Sequence, residues 1–525
     1  MIVDLDATEV NLELRADLCV IGTGAAGLVI ASEMNHVGIN TVLLESGSHE
    51  HEPSTQALYD VAVSGLPHPG STQGRFRVLG GSTTKWGGQA LALKPSDFER
   101  RDWVPNSGWP ISFEELSTYY ERAGRFLMLD KFNFDTDLFS YLRTRAPSFD
   151  TEQLWYHFSK WSPKPNLREH YLPGIRTAEN CTLLLHANVT DIRLDNGGDS
   201  IANIQICSLK EKRATVRARS YVLCIGGIET ARLLLANNKQ RSLGVGNEFD
   251  LVGRFFQDHP SAFIGWVKPR SASRVQGLFN VFHKRGLKYS VRCTATPAWQ
   301  RLHKALNVSM GVTFVEDDST LQDMKDIYLA LRHGKVTERL LSKLLRRARN
   351  PRSALLPAYH FMVRGRTFAP DARMQIGLTS EQEPNIESRI LLSEKCDALG
   401  MRRADVRWKL TDLTFHTMRQ FSRTLQSEFL RAGVGEIALE PWVMEDSPEW
   451  MNHITDQNHH MGTARMDDSP KSGVVDRNCR VHGVSNLFIG SSAVFPTGGH
   501  SNPTLTIIAL CLRLADRLKQ ELKFH

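Results

Sequence analysis

The stretch ADLCVIGTGAAGLVIASEMNHVGINTVLLESG, Ala16 to Gly47, has a readable layout. An apolar strand, Leu18 to Ile21, runs into Gly22-Thr-Gly24-Ala-Ala-Gly27. A helical stretch follows to about Asn35, and a second apolar strand, Thr41 to Leu44, ends in Glu45. Gly22 permits the tight turn, Gly24 lets backbone N–H groups approach a pyrophosphate at the helix start, and Gly27 lets helix and strand pack closely. Glu45 is placed to accept hydrogen bonds from a ribose diol. Glycines in a strand–turn–helix–strand–acid order predict a dinucleotide fold, without separating FAD from NAD.

Three further segments favour a flavin. RVLGGSTTKWGGQALALKPSDF, Arg77 to Phe98, keeps its backbone open at Gly80, Gly81, Gly87 and Gly88 around hydroxyls and a tryptophan, a loop suited to a flat ring and its phosphates. YVLCIGGIETARLLLANN, Tyr221 to Asn238, reads as strand, Gly226-Gly227 and helix, and returns the chain to a nucleotide-type sheet. Upstream, CTLLLHANVTDIRLD reads as a strand through Val189. The third segment is the C-terminus. Asn502 before Pro503 is biased away from helical geometry, and Pro503 suits the first position of a helix running from Thr504 to Leu522. The positive end of that helix would stabilise a reduced flavin's negative edge.

Near the C-terminus stands NHHMGTARMDD, Asn458 to Asp468. Histidine is the usual side chain for moving a proton near neutral pH, and two adjacent ones leave open which acts.

Size and composition set the frame. A chain of 525 residues predicts two domains or one large one with insertions. With 41% hydrophobic and 23% charged residues it has globular composition, and no apolar run reaches the roughly 18 residues of a membrane span. The acidic start lacks the basic and apolar regions of a secretory signal, which predicts a cytoplasmic protein. Eight scattered cysteines without a C-x-x-C predict reduced thiols, with neither a disulfide framework nor a metal site. The net charge of +7 is concentrated: residues 323–352 hold nine Lys/Arg against three Asp/Glu. Within them VTERLLSKLLRRARNP has helical apolar spacing with basic residues on its other faces. This reads first as a solvated surface helix, and second as a peripheral contact with acidic lipid or a partner. No helix-turn-helix, zinc-finger or RNP pattern points to nucleic acid.

Taken together, these motifs resemble the glucose–methanol–choline (GMC) family of flavin-dependent alcohol oxidoreductases, from Gly22 to the last helix, with residues 268–355 matching least. The carrying motifs are Gly22–Gly27 with Glu45, the loop Gly80 to Gly88, Gly253-Arg-Phe-Phe-Gln-Asp-His259-Pro260, His459 to Thr463, and Asn502 to Thr506. The resemblance implies an α/β fold: a discontinuous Rossmann-like FAD-binding domain (1–100, 178–262 and 455–525) and an α+β substrate domain on an antiparallel sheet (101–177 and 263–454). In the family the catalytic histidine lies three residues before the motif's glycine. That glycine is Gly462, so the match is His459, with His460 at the variable position and Asn502 as its partner. The implied cofactor contacts are Gly22, Gly24, Ala26, Gly27, Glu45, Ser46, Gly81, Ser82, Thr83, Trp86, Gly88, Val189, Gly226, Ser491, Asn502, Pro503 and Thr504. The implied substrate contacts are His500, His460 and Gln89.

Two departures matter. Where some relatives carry Thr-His-Trp and link flavin through the histidine, this chain has Thr84-Lys85-Trp86, which implies non-covalent FAD. Where many relatives have an Asp near the final motif, this chain has Ser491. The segment QEPNIESRILLSEKCDALGMRRADVRWKLTDLTFHTMRQFSRTL looks like the bacterial sugar- and polyol-oxidising branch; it reads as strand, turn, strand and helix, and is expected in the substrate domain. The implied activity is oxidation of a CH–OH group of a sugar, cyclitol or other polyhydroxylated alcohol. Hydride would pass to flavin N5 with His459 as base, and oxygen, quinone or a protein would be the electron acceptor. A non-sugar alcohol, a flavin-bound lyase and an FAD-binding scaffold are the rival readings.

Overall fold

The computed structural model describes all residues except 10, 136–137, 317–325, 327–341, 343–350, 446–447 and 524–525. The basic run at 323–352 therefore lies outside the described residues but for scattered positions. Among the described residues no helix is long and apolar enough to cross a membrane.

The first sheet has the order Ile2–Asp4, Cys181–Leu185, Thr41–Leu44, Leu12–Ile21, Arg213–Leu223, Ile201–Cys207, Asn188–Leu194, with Leu487–Ile489 also pairing Arg213–Leu223. Its centre is parallel and buried on both sides, as the continuous apolar runs Leu18–Ile21 and Thr41–Leu44 require. The first long strand begins at Leu12, six residues before the run read from sequence. Its early half alternates Leu12, Leu14 and Ala16 with Glu13, Arg15 and Asp17, so it pairs with 214–218 while one face stays polar. The stretch read as one strand through Val189 is two strands. His186 adopts φ 54° between them, so Cys181–Leu185 joins the parallel core and Asn188–Leu194 the antiparallel edge.

The second sheet is antiparallel: Gly435–Leu439, Ser261–Pro269, Arg373–Ser380, Val308–Val315, Leu287–Ala295, Leu154–Trp161, Gln89–Ala90, with Phe282–Lys284 pairing Leu287–Ala295. Helix Asp412–Arg431 packs on it with Phe415, Met418, Phe421, Leu425 and Phe429 buried at three- and four-residue spacing. The hairpin Arg389–Cys396 and Arg402–Arg407 does not join this sheet. It forms a third, three-stranded sheet with Ala62–Val63. The last helix, Thr504–Lys523, packs against helices Ala25–Asn35 and Phe113–Phe126, which brings its first turn to the end of the parallel sheet. The eight cysteines are free.

Candidate active site

Close packing fixes the glycine turn. Gly22 has φ +102°, and a Cβ there would lie 2.6 Å from the Cys224 carbonyl oxygen; a Cβ at Gly27 would lie 1.9 Å from the Gly22 carbonyl oxygen. Above Gly24 nothing lies within 4 Å of an added Cβ. That open space faces the start of helix Ala25–Asn35, where N–H groups and the helix dipole favour an anion. The Thr23 hydroxyl donates to Glu45 and accepts from the Gly80 N–H at 3.0 Å, which ties turn, acid and glycine-rich loop together. Glu45 also accepts from the Gly47 N–H at 2.8 Å and from Ser46 Oγ at 3.3 Å. Burial raises the Glu45 pKa despite these bonds. Thr23 sits at a freely variable place of the fingerprint, so sequence reading passed over it.

A cavity of about 600 Å³ runs from this turn to the first turn of helix Thr504–Lys523, within the usual range for ligand sites. It is lined by Gly22, Gly24, Ala26, Glu45, Ser46, Gly81, Ser82, Thr83, Lys85, Trp86, Gln89, Val189, Gly226, His459, His460, Ser491, Asn502, Pro503 and Thr504. Three residues expected at the site do not line it. Gly27 lies beneath the turn. Gly88 packs where a Cβ would be 2.9 Å from Pro165 Cβ. His500, expected as a substrate contact, is buried behind the wall, 3.3 Å from His157 Nδ1 and 3.1 Å from Asn307 Oδ1.

One end of the cavity is walled by a buried charge cluster that the sequence did not suggest. Glu229 accepts from Arg75 at 2.9 Å, Arg77 at 3.0 Å and Arg232 at 3.1 Å, and Arg232 also pairs with Asp397 in the hairpin turn. Burial raises the Glu229 pKa, but Arg232, Arg77 and Arg75 outweigh it and hold it down at about 2.

At the other end, two chain segments run antiparallel and present the histidines. Gln257 and Met461 exchange backbone hydrogen bonds at 3.0 and 2.9 Å, as do Ser261 and Thr455 at 2.9 Å each. Gly462, with φ +83°, passes so close to Phe255 that a Cβ would lie 2.2 Å from its carbonyl oxygen. Between the segments the buried Asp258 carboxylate accepts backbone N–H groups from His259 (2.6 Å), Gln457 (3.1 Å) and His459 (2.9 Å), and lies 3.2 Å from His68 Nε2. Asp258 is held well below the carboxylate range, with burial opposed by His68.

The side chains of His459 and His460 diverge. His459 Nδ1 lies 2.8 Å from His259 Nδ1, and His459 Nε2 lies 3.3 Å from Asn502 Nδ2. The surroundings assign the protons. His259 is kept neutral by burial, and its Nε2 faces the Gly498 carbonyl oxygen at 3.4 Å, which can only accept. A proton on His259 Nε2 leaves Nδ1 as acceptor, so His459 carries its proton on Nδ1 and turns a bare Nε2 toward Asn502. The opposite pair of tautomers would set two lone pairs against each other at Gly498 and two donors at Asn502. Burial, with His259 adding and Asp258 opposing, brings the His459 pKa down to about 3. His460 instead packs its ring on His68, centroids 5.4 Å apart, and on Phe256 at 6.2 Å, with a buried, unpaired Nε2. His68, Asp258 and His460 form the only group with metal-ligand spacing among the described residues. Three backbone N–H groups already occupy its carboxylate.

Comparison with known proteins agrees with this architecture. A family model described as GMC oxidoreductase matches residues 384–511. The chain is similar to the fructose dehydrogenase large subunit of Gluconobacter japonicus, 23% identical over 98% of this chain and 99% of that protein. It is likewise similar to paromamine 6'-oxidase of Streptomyces fradiae, 23% identical over 96% and 92%. Among solved structures, pyridoxine 4-oxidase from Mesorbium loti superposes with a TM-score of 0.56 at 17% identity, over 96% of this chain and 99% of that one.

Proposed function

Given that the chain belongs to the GMC family of oxidoreductases, we propose that it uses FAD to oxidise a CH–OH group of a sugar or other polyhydroxylated alcohol to a carbonyl. The observation that carries this reading is the unprotonated His459 Nε2 facing Asn502 Nδ2 at 3.3 Å, in the wall of the cavity that also holds the glycine turn and Glu45. That cavity fits the cofactor: open space above Gly24 for the pyrophosphate, Glu45 for the ribose, and the start of helix Thr504–Lys523 for a negatively charged ring edge. Bound FAD supplies the hydride acceptor, at its N5. Segments 1–100, 178–262 and 455–525 form the cofactor unit in this reading, and 101–177 with 263–454 the substrate unit. FAD is held without a covalent bond, since Lys85 occupies the place of a linking histidine.

The chain's own residues handle the proton. The substrate hydroxyl donates to His459 Nε2, so no cationic carbonyl develops as the hydride leaves carbon. Such a positioned base contributes ~10²–10⁴ in rate. Asn502 donates to the substrate oxygen and fixes its direction. The names of the relatives, an enzyme of fructose and an oxidase of paromamine, favour a sugar-like substrate. The test is anaerobic mixing of the holoenzyme with a panel of sugars, cyclitols and simple alcohols, following loss of flavin absorbance and formation of a carbonyl. Bleaching by a polyol with a carbonyl product is expected. A panel that leaves the flavin oxidised, or a product formed without bleaching, overturns the reading.

A further inference from the structure

Arg75, Arg77, Arg101 and Arg232 are buried, and each meets a carboxylate. Arg292 does not. It is ringed by protein yet keeps part of its surface accessible, and among the described residues it has no ion-pair or hydrogen-bond partner. Burial pushes its own pKa down, with no acid opposing it. An unpaired guanidinium away from bulk water is costly, and such a group is kept where something else brings the counter-charge.

Its position says where that counter-charge would come. Arg292 lies in strand Leu287–Ala295 directly opposite His157 of strand Leu154–Trp161, so both side chains share one face of the antiparallel sheet. That face meets the residues directly behind the cavity wall: His157 Nδ1 is 3.3 Å from His500 Nε2, two residues before Asn502, and the Arg292 charge acts on His459 itself. Burial and then the Arg292 charge hold His500 well below its ordinary pKa, which places the guanidinium close by. On the other side of Arg292 the next two cross-strand positions are glycines and carry no side chain. A Cβ at Gly311 would lie 3.7 Å from Arg292 Nη1, and Gly377, paired with Gly311, would meet only the Ala262 carbonyl oxygen at 3.6 Å. Two adjoining glycines in central strands leave the positions beside Arg292 without side chains.

We propose that Arg292 is a substrate anchor, and that the enzyme's alcohol carries an oxyanion, a carboxylate or phosphate, that pairs with its guanidinium above Gly311 and Gly377. This rests on the function proposed above and narrows it from polyhydroxylated alcohols to acidic ones. The guanidinium fork suits a planar oxyanion better than an ammonium would.

The test compares neutral and acidic partners of similar shape: glucitol with gluconate, glucose with glucuronate, and glucose with glucose 6-phosphate. Anaerobic flavin reduction is measured in wild type, Arg292→Lys and Arg292→Met. The acidic member should be preferred, by carboxylate or by phosphate according to which pair shows it. Arg292→Met should erase about 10- to 100-fold of that preference, with Arg292→Lys restoring part. A second readout needs no turnover. Sulfate or citrate at fixed ionic strength should raise the Tm of wild type but not of Arg292→Met, and the anion-free variant should melt at or above wild type. A wild type that prefers neutral members, or a preference unaltered in Arg292→Met, overturns the anchor. If no alcohol of either kind reduces the flavin, the proposed function fails, while the anion-dependent Tm still decides whether Arg292 binds an oxyanion.

Discussion

Asn502 Nδ2 stands 3.3 Å from His459 Nε2, and the nitrogen it meets is the unprotonated one, because the chain Gly498 carbonyl–His259–His459 consumes the other donors in sequence. In the proposed role of base, His459 is thus set before substrate arrives. Burial and the neighbouring His259 also move its titration far from neutrality, to about 3. The charged and titratable groups acting on it are His259, Asp258 and Arg292.

A pH profile follows from this. With His459 as the proposed base, its protonated form is inactive, so activity should be lost only as pH falls through the lowered pKa. The kcat/KM for flavin reduction should be flat from about pH 5 to 8 and decline below about pH 4, instead of showing a midpoint near the ordinary histidine value of about 6.5. A rising limb centred near neutrality in stopped-flow data would contradict the buried, neutral His459.

Glu229 predicts the behaviour in acid. Its folded pKa, about 2, lies below the unfolded value of about 4.3. Its contribution to stability is therefore complete above about pH 4.3 and disappears as pH falls toward 2. Glu229→Gln should lower stability at pH 7 by roughly 2–4 kcal/mol, partly by leaving Arg75, Arg77 and Arg232 less well paired, and should flatten the acid limb. Denaturant unfolding at pH 7 and pH 3 measures both. Equal stability of variant and wild type at pH 7 would remove the cluster from the folding energetics.

The fingerprint and its acid were legible because each is local. Gly22, Gly24 and Gly27 answer to one turn, and Thr41–Leu44 delivers Glu45 through a single crossover. Asn502-Pro503 was legible for the same reason, as a helix start. Asp258, His259 and Glu229 were not, since their roles exist only across about 150 to 200 residues of chain: His259 meets His459, and Glu229 meets Arg75. The hairpin Arg389–Arg407 showed its strands but not its partner, because alternation along a strand names a face and says nothing of which edge lies beside it. His500 looked like a loop histidine among glycines, and burial against His157 and Asn307 removed it from the cavity.

Replacing Glu45 with Ala should weaken FAD binding about 10- to 100-fold, because the ribose loses a charged acceptor worth ~1.5–3 kcal/mol. The Thr23 hydroxyl also loses its partner, so the Gly80 loop should loosen with it. Titration of apoprotein with FAD, following flavin fluorescence, gives the constant. Wild-type affinity in Glu45→Ala would take this residue out of the cofactor site.

Acid or heat denaturation of the holoprotein should release yellow FAD into the supernatant, since Lys85 stands where a histidyl link would form. Flavin that stays with the precipitated chain would show a covalent bond elsewhere in the site.

The most direct measurement is stopped-flow anaerobic reduction of His459→Ala beside His460→Ala, each with flavin content determined first. His459→Ala should keep its FAD and slow reduction by about two to four orders of magnitude, having lost the positioned acceptor of the hydroxyl proton. His460→Ala should cost far less, because its ring lies against His68 and Phe256 and not beside Asn502. A larger defect in His460→Ala, or near-normal reduction in His459→Ala, would contradict the assignment of the base.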